Sequence, residues 1–284
     1  MPQNASLRRP PPLATPPAPI PHRAIGAEVR ARLQRARALD GSEPERFGFR
    51  EESAARLFRV TAAFYRRYFR VETHGLETLP TGRVLLVAHH GSHALAWDGA
   101  MILTSCLLDA DPPRLVHAMA DHRLMKLPVL GRAAQRIGAV DGLRSVCEEL
   151  LRAGAAVLTF PEGAPGSKGL RNRYELAPLR QGFMHVAIAT RTPIVPVAVI
   201  GAEEDAPLLA NPRWLARFLG TPTAPVTPTL LVPLPVKYRI HFGGPLRFAG
   251  PITTANVAHG VTVVRAALEN LIQRGLTARK HVFF

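Results

Sequence analysis

Five short apolar runs, separated by segments of helical periodicity, constrain the fold of this chain more than any other feature. The runs are rich in β-branched residues and lie at 83–88, 114–119, 155–160, 194–200 and 236–242. Helical patterns occur at 97–109, 143–153, 180–190, 211–219 and 254–273. Apolar strands that alternate with helices are typical of a sheet covered on both faces. We therefore expect an α/β fold with a mainly parallel or mixed central sheet flanked by helices.

The part of the chain before the first run divides into two segments. Residues 1–24 hold eight prolines and three arginines, a composition that builds neither helix nor sheet. We expect this segment to be a disordered basic tail. Residues 25–72 are expected to form an N-terminal helical segment, and residues 73–284 the α/β domain itself.

The clearest helical pattern of the N-terminal segment covers residues 51–70. Acidic residues suit its start and arginines suit its end. At helical spacing it carries a narrow apolar stripe of Leu57, Val60, Phe64 and Tyr68. A basic amphipathic helix with aromatic residues can lie in a membrane interface, or it can pack on the domain with its arginines in water. The sequence leaves both uses open.

The charge balance indicates the kind of partner. The 284 residues include 36 Lys and Arg against 21 Asp and Glu, a formal net charge of +15. Such a surplus favours nucleic acid, an anionic lipid surface or phosphorylated small molecules. No helix-turn-helix, zinc-finger or RNA-recognition motif occurs, so we expect no nucleic-acid partner. Segment 206–235 is apolar and interrupted by prolines, which favours lipid as the partner. It could form a flap over an acyl chain or a hairpin that dips into the membrane. A segment that simply packs on the domain stays open as the alternative.

Attachment to a membrane is expected to be peripheral or monotopic, at its cytoplasmic face. The sequence contains no uncharged apolar run of about 18 residues, which is the length that a spanning helix needs. The two cysteines, Cys106 and Cys147, lie in apolar stretches. We expect two buried thiols and no disulfide.

The first candidate site directly follows the first predicted strand, where ligands bind in open α/β sheets. The sequence there is H-H-G-S-H-A-L-A-W-D, over residues 89–98. His93 on the loop and Asp98 in the first helical turn form a base and a partner that fixes its tautomer. A metal site built from His89, His90, His93 and Asp98 stays open, as does a structural role for the histidines, although no zinc-binding spacing is present.

The second candidate site follows another predicted strand and reads F-P-E-G-A-P-G-S-K-G over residues 160–169. Its glycines let backbone N–H groups approach an anion, and Lys168, Arg171 and Arg173 add positive charge. The carboxylate of Glu162 repels phosphate. It fits better as an acceptor for a substrate hydroxyl, or as a group that orients a neighbouring arginine.

These blocks together resemble the glycerolipid acyltransferase family, which includes 1-acylglycerol-3-phosphate acyltransferases and related lysophospholipid acyltransferases. The resemblance rests on three blocks in the family's order: His93 and Asp98 separated by four residues, F-P-E-G at 160–163, and V-P-V-A-V-I-G ending at Gly201. It covers about residues 75–250. The histidine–aspartate spacing alone is a weak signal, but its combination with a later F-P-E-G at a strand end is strong.

The resemblance implies transfer of a fatty acyl group from acyl-CoA or acyl-carrier protein to a glycerolipid hydroxyl. It implies His93 as general base, Asp98 as the residue that orients it, and no metal or redox cofactor. It also implies that the substrates are placed by Phe160, Pro161, Glu162 and Gly163. Lys168, Arg171 or Arg144 can substitute for two phosphate-handling arginines of the family that are missing or displaced in this chain.

The chain departs from the family pattern where the family carries phosphate-handling arginines. Pro165 stands where an arginine usually follows F-P-E-G-x, and Arg144 is displaced from the block I-G-A-V-D-G. These departures concern the binding of a phosphate-bearing acceptor rather than acyl transfer itself, and a neutral acceptor such as a mono- or diacylglycerol stays open. Two other functions also stay open: a lipid or ester hydrolase, with Ser92 as the nearby hydroxyl, and a non-catalytic lipid-binding protein.

Overall fold

The computed structural model of the protein describes residues 22–91, 96–126, 128–163, 173–205, 217 and 233–283. Nearly all of the predicted tail and of segment 206–235, including the helix predicted at 211–219, lies outside these ranges. The site candidates His93, Lys168 and Arg171 also lie outside them.

The described residues form one seven-stranded sheet with the strand order β1-β7-β6-β2-β5-β3-β4. The strands are β1 Glu72–His74, β2 Val84–Ala88, β3 Val116–Ala120, β4 Ala139–Asp141, β5 Ala156–Thr159, β6 Ile194–Ile200 and β7 Arg239–Phe242. The five strands β6, β2, β5, β3 and β4 are adjacent in this order and pair in parallel. Strand β7 pairs antiparallel with β6 and parallel with β1. The predicted α/β class with a mainly parallel or mixed sheet is confirmed.

The helices cover both faces of this sheet. They are α1 His22–Leu39, α2 Glu51–Ala63, α3 Trp97–Leu108, α4 His122–Met125, α5 Leu130–Arg136, α6 Arg144–Arg152, α7 Gly182–Thr190 and α8 Thr254–Ala278. One π-helical turn, Phe64–Tyr68, continues α2. The sequence pattern does not predict β1, β4, α4 or α5, because three to seven residues are too few to show a repeat.

Alternate residues of each central strand enter two different cores. In β2, Val84, Leu86 and Ala88 pack in the core that includes α1, α2 and α3. Leu85 and Val87 point to the opposite core, with α6, α7 and α8. Because successive side chains of a strand face opposite sides, a strand buried on both faces must be apolar throughout. This is the physical reason for the uninterrupted apolar runs of the sequence.

The buried face of α2 differs from the predicted stripe. Ala54, Phe58 and Thr61 are buried, whereas Val60 is 49 % exposed. The hydroxyl of Thr104, on α3, donates a hydrogen bond of 2.8 Å to the hydroxyl of Thr61. Because both hydroxyls have a hydrogen-bond partner, the helix can bury Thr61, a polar residue that lies outside the predicted apolar stripe. The other members of the predicted stripe are only partly buried: Leu57, Phe64 and Tyr68.

Polar contacts join the N-terminal helices to the rest of the fold. Both terminal nitrogens of Arg66 donate to the carboxylate of Glu28, at 2.7 and 2.6 Å. The hydroxyl of Tyr65 donates to Asp109, at the end of α3. Burial, together with this carboxylate, raises the pKa of Tyr65 far above its ordinary value. The helices α1 and α2 are thus built into the same core as the sheet.

None of the helices in the described ranges is long and apolar enough to cross a membrane. Cys106 and Cys147 are both buried and both free, as the sequence predicts.

Candidate active site

Several loops meet at the carboxyl edge of the parallel strands and enclose a cavity of about 710 Å³. One wall comes from α2 and α3, including Leu57, Phe58 and Leu103. The opposite wall comes from α7, with Phe183 and Val186. The ends of the strands contribute the polar residues described below. The cavity therefore combines a mostly aliphatic and aromatic interior with a few convergent polar groups, which is the usual composition of a small-molecule site.

A short polar contact in the wall of this cavity joins His90 to Asp98. The Nδ1 of His90 lies 2.6 Å from Oδ2 of Asp98, and the imidazole is 11 % exposed toward the cavity. Because a carboxylate only accepts hydrogen bonds, Nδ1 carries the proton of the neutral ring and Nε2 keeps the lone pair. This tautomer is the one that a general base needs.

The carboxylate of Asp98 is fully buried in the first turn of α3. Its Oδ2 also accepts the backbone N–H of Gly91 at 2.9 Å, and Oδ1 accepts that of Gly99 at 2.8 Å. These donors, together with the positive end of the α3 dipole, favour the ionised carboxylate. Asp98 thus has the surroundings expected of a residue that orients an imidazole.

Among the residues that the structure describes, the histidine that contacts Asp98 is His90, whereas the sequence motif predicts His93. His93 lies outside the described residues, so its predicted role stays a prediction. In the sequence, His90 appears only as a candidate metal ligand. One signal favours it as a base: it follows β2 almost directly, at the strand end where ligands bind in α/β sheets.

The F-P-E-G block contributes to the same site through the ring of Phe160, the carboxylate of Glu162 and the backbone of Pro161. The ring of Phe160 lies against the imidazole of His90, with ring centroids 4.5 Å apart. Glu162 accepts the backbone N–H of His90 at 3.0 Å through Oε1 and that of Ala177 at 2.8 Å through Oε2. Pro161 accepts the backbone N–H of Arg180 at 3.0 Å. Glu162 thereby ties three segments of the site together, and its predicted role toward the acceptor stays a prediction.

Two arginines line the cavity beside these residues. Arg144, named from the sequence, begins α6, and its Nε donates to Glu148 at 2.8 Å. Arg180 has no such signal in the sequence, because it only precedes a helix that the pattern assigns to the core. Its guanidinium nevertheless lies over Gly163. Both are candidates for contacts with an anionic part of a substrate.

The acidic residues after β6 form a buried network next to this cavity. Glu203, Glu204 and Asp205 are 2 %, 7 % and 0 % exposed. The sequence leaves open whether they line the site or lie in a solvated turn, and their burial excludes the solvated turn. The hydroxyl of Tyr174 donates to Glu204, which also pairs with Arg279 at 2.6 Å. The network anchors the chain where it returns from the F-P-E-G loop.

Within the ranges that the structure describes, no group of three or more His, Cys, Asp or Glu side chains is placed to hold a metal ion. The fold and the site together define an α/β protein with an imidazole–carboxylate pair in the wall of an apolar cavity.

Comparison with known proteins identifies the family. The family model described as Acyltransferase matches residues 70–200. An uncharacterised protein of Mycobacterium bovis is 33 % identical over 277 residues, which cover 92 % of this chain and 76 % of that protein. A mouse protein named "DGAT1/2-independent enzyme synthesizing storage lipids" is 27 % identical over 227 residues, covering 78 % and 66 %. The chain belongs to the glycerolipid acyltransferase family.

The same fold is found in a solved structure. The crystal structure of the 1-acyl-sn-glycerophosphate acyltransferase from Thermotoga maritima matches with a TM-score of 0.54 and 16 % sequence identity. The match covers 92 % of this chain and 99 % of that one. The family resemblance drawn from the sequence is confirmed, and with it an enzyme that transfers acyl groups.

Proposed function

We propose that this chain transfers a fatty acyl group from a thioester donor, acyl-CoA or acyl-carrier protein, to a hydroxyl of a glycerolipid. The observation that carries the proposal is the His90–Asp98 pair, whose imidazole lines the apolar cavity. An oriented imidazole suits the deprotonation of an alcohol, and an apolar cavity suits an acyl chain. The thioester is already activated for acyl transfer, so the proposal needs no metal or redox cofactor.

The proposed step uses Nε2 of His90. It removes the proton of the acceptor hydroxyl as that oxygen attacks the thioester carbonyl carbon. The tetrahedral intermediate then collapses, the C–S bond breaks and the new ester forms. The imidazolium returns its proton to the thiolate, and the carboxylate of Asp98 stabilises the positive ring in between.

His93 is the base that the family resemblance implies, and the two histidines lead to different predictions. If His90 is the base, His90→Ala lowers the turnover number by about 10²- to 10⁴-fold, the range for loss of a general base. Asp98→Asn also lowers it strongly, because the amide no longer selects the Nδ1–H tautomer. His93→Ala has a smaller effect. A larger loss of turnover in His93→Ala than in His90→Ala would assign the base to His93.

The neighbouring residues are proposed to place the substrates. Phe160 lies beside the reacting imidazole, and Gly163 lets Arg180 approach. Arg144 lines the same cavity, and Lys168 and Arg171 are proposed from the sequence as further cationic contacts with the thioester donor or the headgroup.

We further propose that the protein attaches to an anionic membrane surface, peripherally and at its cytoplasmic face. The groove between α1 and α2 contains the exposed Val60 and is lined by three arginines and two glutamates: Arg30, Arg56, Arg59, Glu51 and Glu52. Cationic side chains around exposed apolar surface are the usual composition of an interfacial helix pair. The formal charge of +15 supports the same attachment. Stronger retention on anionic than on neutral liposomes, reversed by salt, tests it.

The reaction is tested with purified protein, radiolabelled acyl-CoA and liposomes that contain lysophosphatidate, monoacylglycerol or diacylglycerol. Wild type, His90→Ala, His93→Ala and Asp98→Asn are compared, with His259→Ala as the control because His259 is exposed on α8. Product formation by the wild type and the control supports the proposal. Release of free fatty acid without transfer would instead indicate the hydrolase. The proposal fails if neither acyl-CoA nor acyl-carrier protein donates an acyl group; lipid binding without turnover would then indicate a non-catalytic protein.

A further inference from the structure

A second imidazole–carboxylate pair lies at the same edge of the sheet. His122 follows β3 and Asp141 ends β4, and these two strands are parallel neighbours. The Nδ1 of His122 lies 2.6 Å from Oδ2 of Asp141. His122 lines the same cavity as His90.

The surroundings of the two pairs differ. Asp98 is fully buried, whereas the His122 side chain is 45 % exposed and that of Asp141 25 %. An ion pair with such exposure contributes little to folding stability. Its position on a cavity wall is therefore better explained by contact with a ligand than by the stability of the fold.

The hydrogen bond to Asp141 fixes what His122 offers to a ligand. With the proton on Nδ1, Nε2 is an acceptor for a hydroxyl group. The other carboxylate oxygen of Asp141, Oδ1, is buried and accepts no hydrogen bond from the described residues. Its negative charge is thus only partly neutralised, which favours a hydrogen-bond donor near the pair over an anion.

The charges around His122 also disfavour a phosphate. Arg144 lines the cavity near Gly142, but its Nε is bound to Glu148, a carboxylate shared with Arg152. A phosphate at this end of the cavity would meet the carboxylate of Asp141 and an arginine that already has an acidic partner. An uncharged hydroxyl group avoids this repulsion.

We propose that the His122–Asp141 pair binds a free hydroxyl of an uncharged acceptor headgroup, such as the glycerol of a monoacylglycerol. The proposal rests on the proposed acyl transfer and names its acceptor class. The pair positions the headgroup while a second hydroxyl faces the reacting imidazole. His122 is thus a binding residue for the acceptor and takes no part in the proton transfer.

The binding step can be measured without an acyl donor. Radiolabelled 1-monooleoylglycerol and 1-oleoyl lysophosphatidate share one acyl chain and differ in the headgroup, so their binding to the protein in mixed detergent micelles is compared. For the wild type we expect tighter binding of the monoacylglycerol. His122→Phe keeps a flat ring but removes the acceptor atom, and it should weaken monoacylglycerol binding about tenfold, the effect of one lost hydrogen bond, while leaving lysophosphatidate binding unchanged. His122→Gln, which retains an acceptor oxygen, should recover part of the loss.

The control is His259→Phe, the same substitution on the exposed face of α8. Circular dichroism and thermal unfolding of each variant show whether the fold is kept. Equal weakening of both lipids by His122→Phe, no weakening of either, or a loss confined to lysophosphatidate would each overturn the proposal. In the turnover assay, His122→Phe should raise KM for the monoacylglycerol and leave KM for acyl-CoA unchanged. Because the binding measurement needs no turnover, failure of acyl transfer is distinguished from failure of this site.

Discussion

The guanidinium of Arg180 lies directly against the α-carbon of Gly163. A Cβ built on Gly163 would be 3.1 Å from the nearest guanidinium nitrogen, and the backbone there has φ of +85°. Only glycine accepts this conformation without strain and also leaves room for the arginine. The last residue of the F-P-E-G block is therefore explained by the position of a side chain 17 residues further along the chain.

Gly163→Ala should lower acyl-transfer activity through displacement of Arg180, in addition to a stability loss of about 1–3 kcal/mol from the strained backbone. Gly154→Ala is a matched control, because Gly154 has φ of +93° but no atom within 4 Å of a Cβ. Chemical denaturation should show similar losses for both variants, whereas the KM for substrates should rise only for Gly163→Ala. Equal kinetic effects of the two would contradict a role for the contact with Arg180.

Glu162→Gln should lower activity by roughly 10- to 100-fold, the scale of a small displacement of a reacting group. Both carboxylate oxygens accept backbone N–H groups, from His90 and Ala177. A glutamine offers one oxygen and one NH₂, so one backbone donor would face another donor, at a cost of about 1–3 kcal/mol.

Steady-state kinetics and denaturation are measured for Glu162→Gln and for the control Glu45→Gln. Glu45 lies in the turn after α1, and its carboxylate pairs with Arg37. The control should keep full activity. If Glu162→Gln is as active as the control, the position of the His90 backbone does not depend on this carboxylate.

His241 should make the protein less stable as the pH falls from about 6.5 to about 4. Burial lowers the pKa of His241 to about 4, and the neighbouring His74, Arg274 and Arg239 add to the effect. In this pH range the unfolded chain takes up a proton on His241 that the folded protein does not, so protons favour unfolding. Above the ordinary histidine value near 6.5, neither state binds the proton and this contribution is constant.

Urea denaturation of the wild type and His241→Gln between pH 7 and 4 measures the effect. The stability of the wild type relative to the variant should decrease as the pH falls. The same comparison for the exposed His259→Gln should show no such trend. A constant difference between wild type and His241→Gln would show that His241 is protonated equally in both states.

Cys106 and Cys147 should resist alkylation in the native protein. Both thiols are buried, and burial raises the pKa of each to about 12. Because the thiolate is the reactive form, little of it exists near neutral pH. Mass spectrometry after iodoacetamide treatment should detect both residues unmodified in buffer and both modified in denaturant. Rapid modification of Cys147 in buffer would mean that the cavity, which it lines, opens to the reagent.

Most of the fold follows from local patterns of the sequence. A strand buried on both faces is apolar throughout, and this property alone locates β2, β3, β5, β6 and β7 to within a few residues. The longer helices that pack on the sheet are located by their helical periodicity. The patterns fail for β1 and β4, which are too short to repeat, and they do not predict that β7 runs antiparallel to β6. Strand direction depends on the connection between the two strands, and a pattern within either strand contains no information on it.

The buried face of α2 shows a different kind of failure. The sequence predicts a stripe through Val60, but the helix buries Thr61, whose hydroxyl meets that of Thr104 on α3. A polar residue is suitable for a core only when a partner is at hydrogen-bond distance. That partner is 43 positions away in the chain and becomes a neighbour only in the folded state.

The sequence by itself determined the family, the α/β class and the two loops that hold the candidate site, because these depend on residue types at short spacings. Only the tertiary structure decided which side chains meet there. It places His90 on Asp98, Arg180 over Gly163 and His122 on Asp141. Each of these contacts depends on where a strand ends and how the following loop turns, and those positions are set by the packing of the whole sheet between its helices.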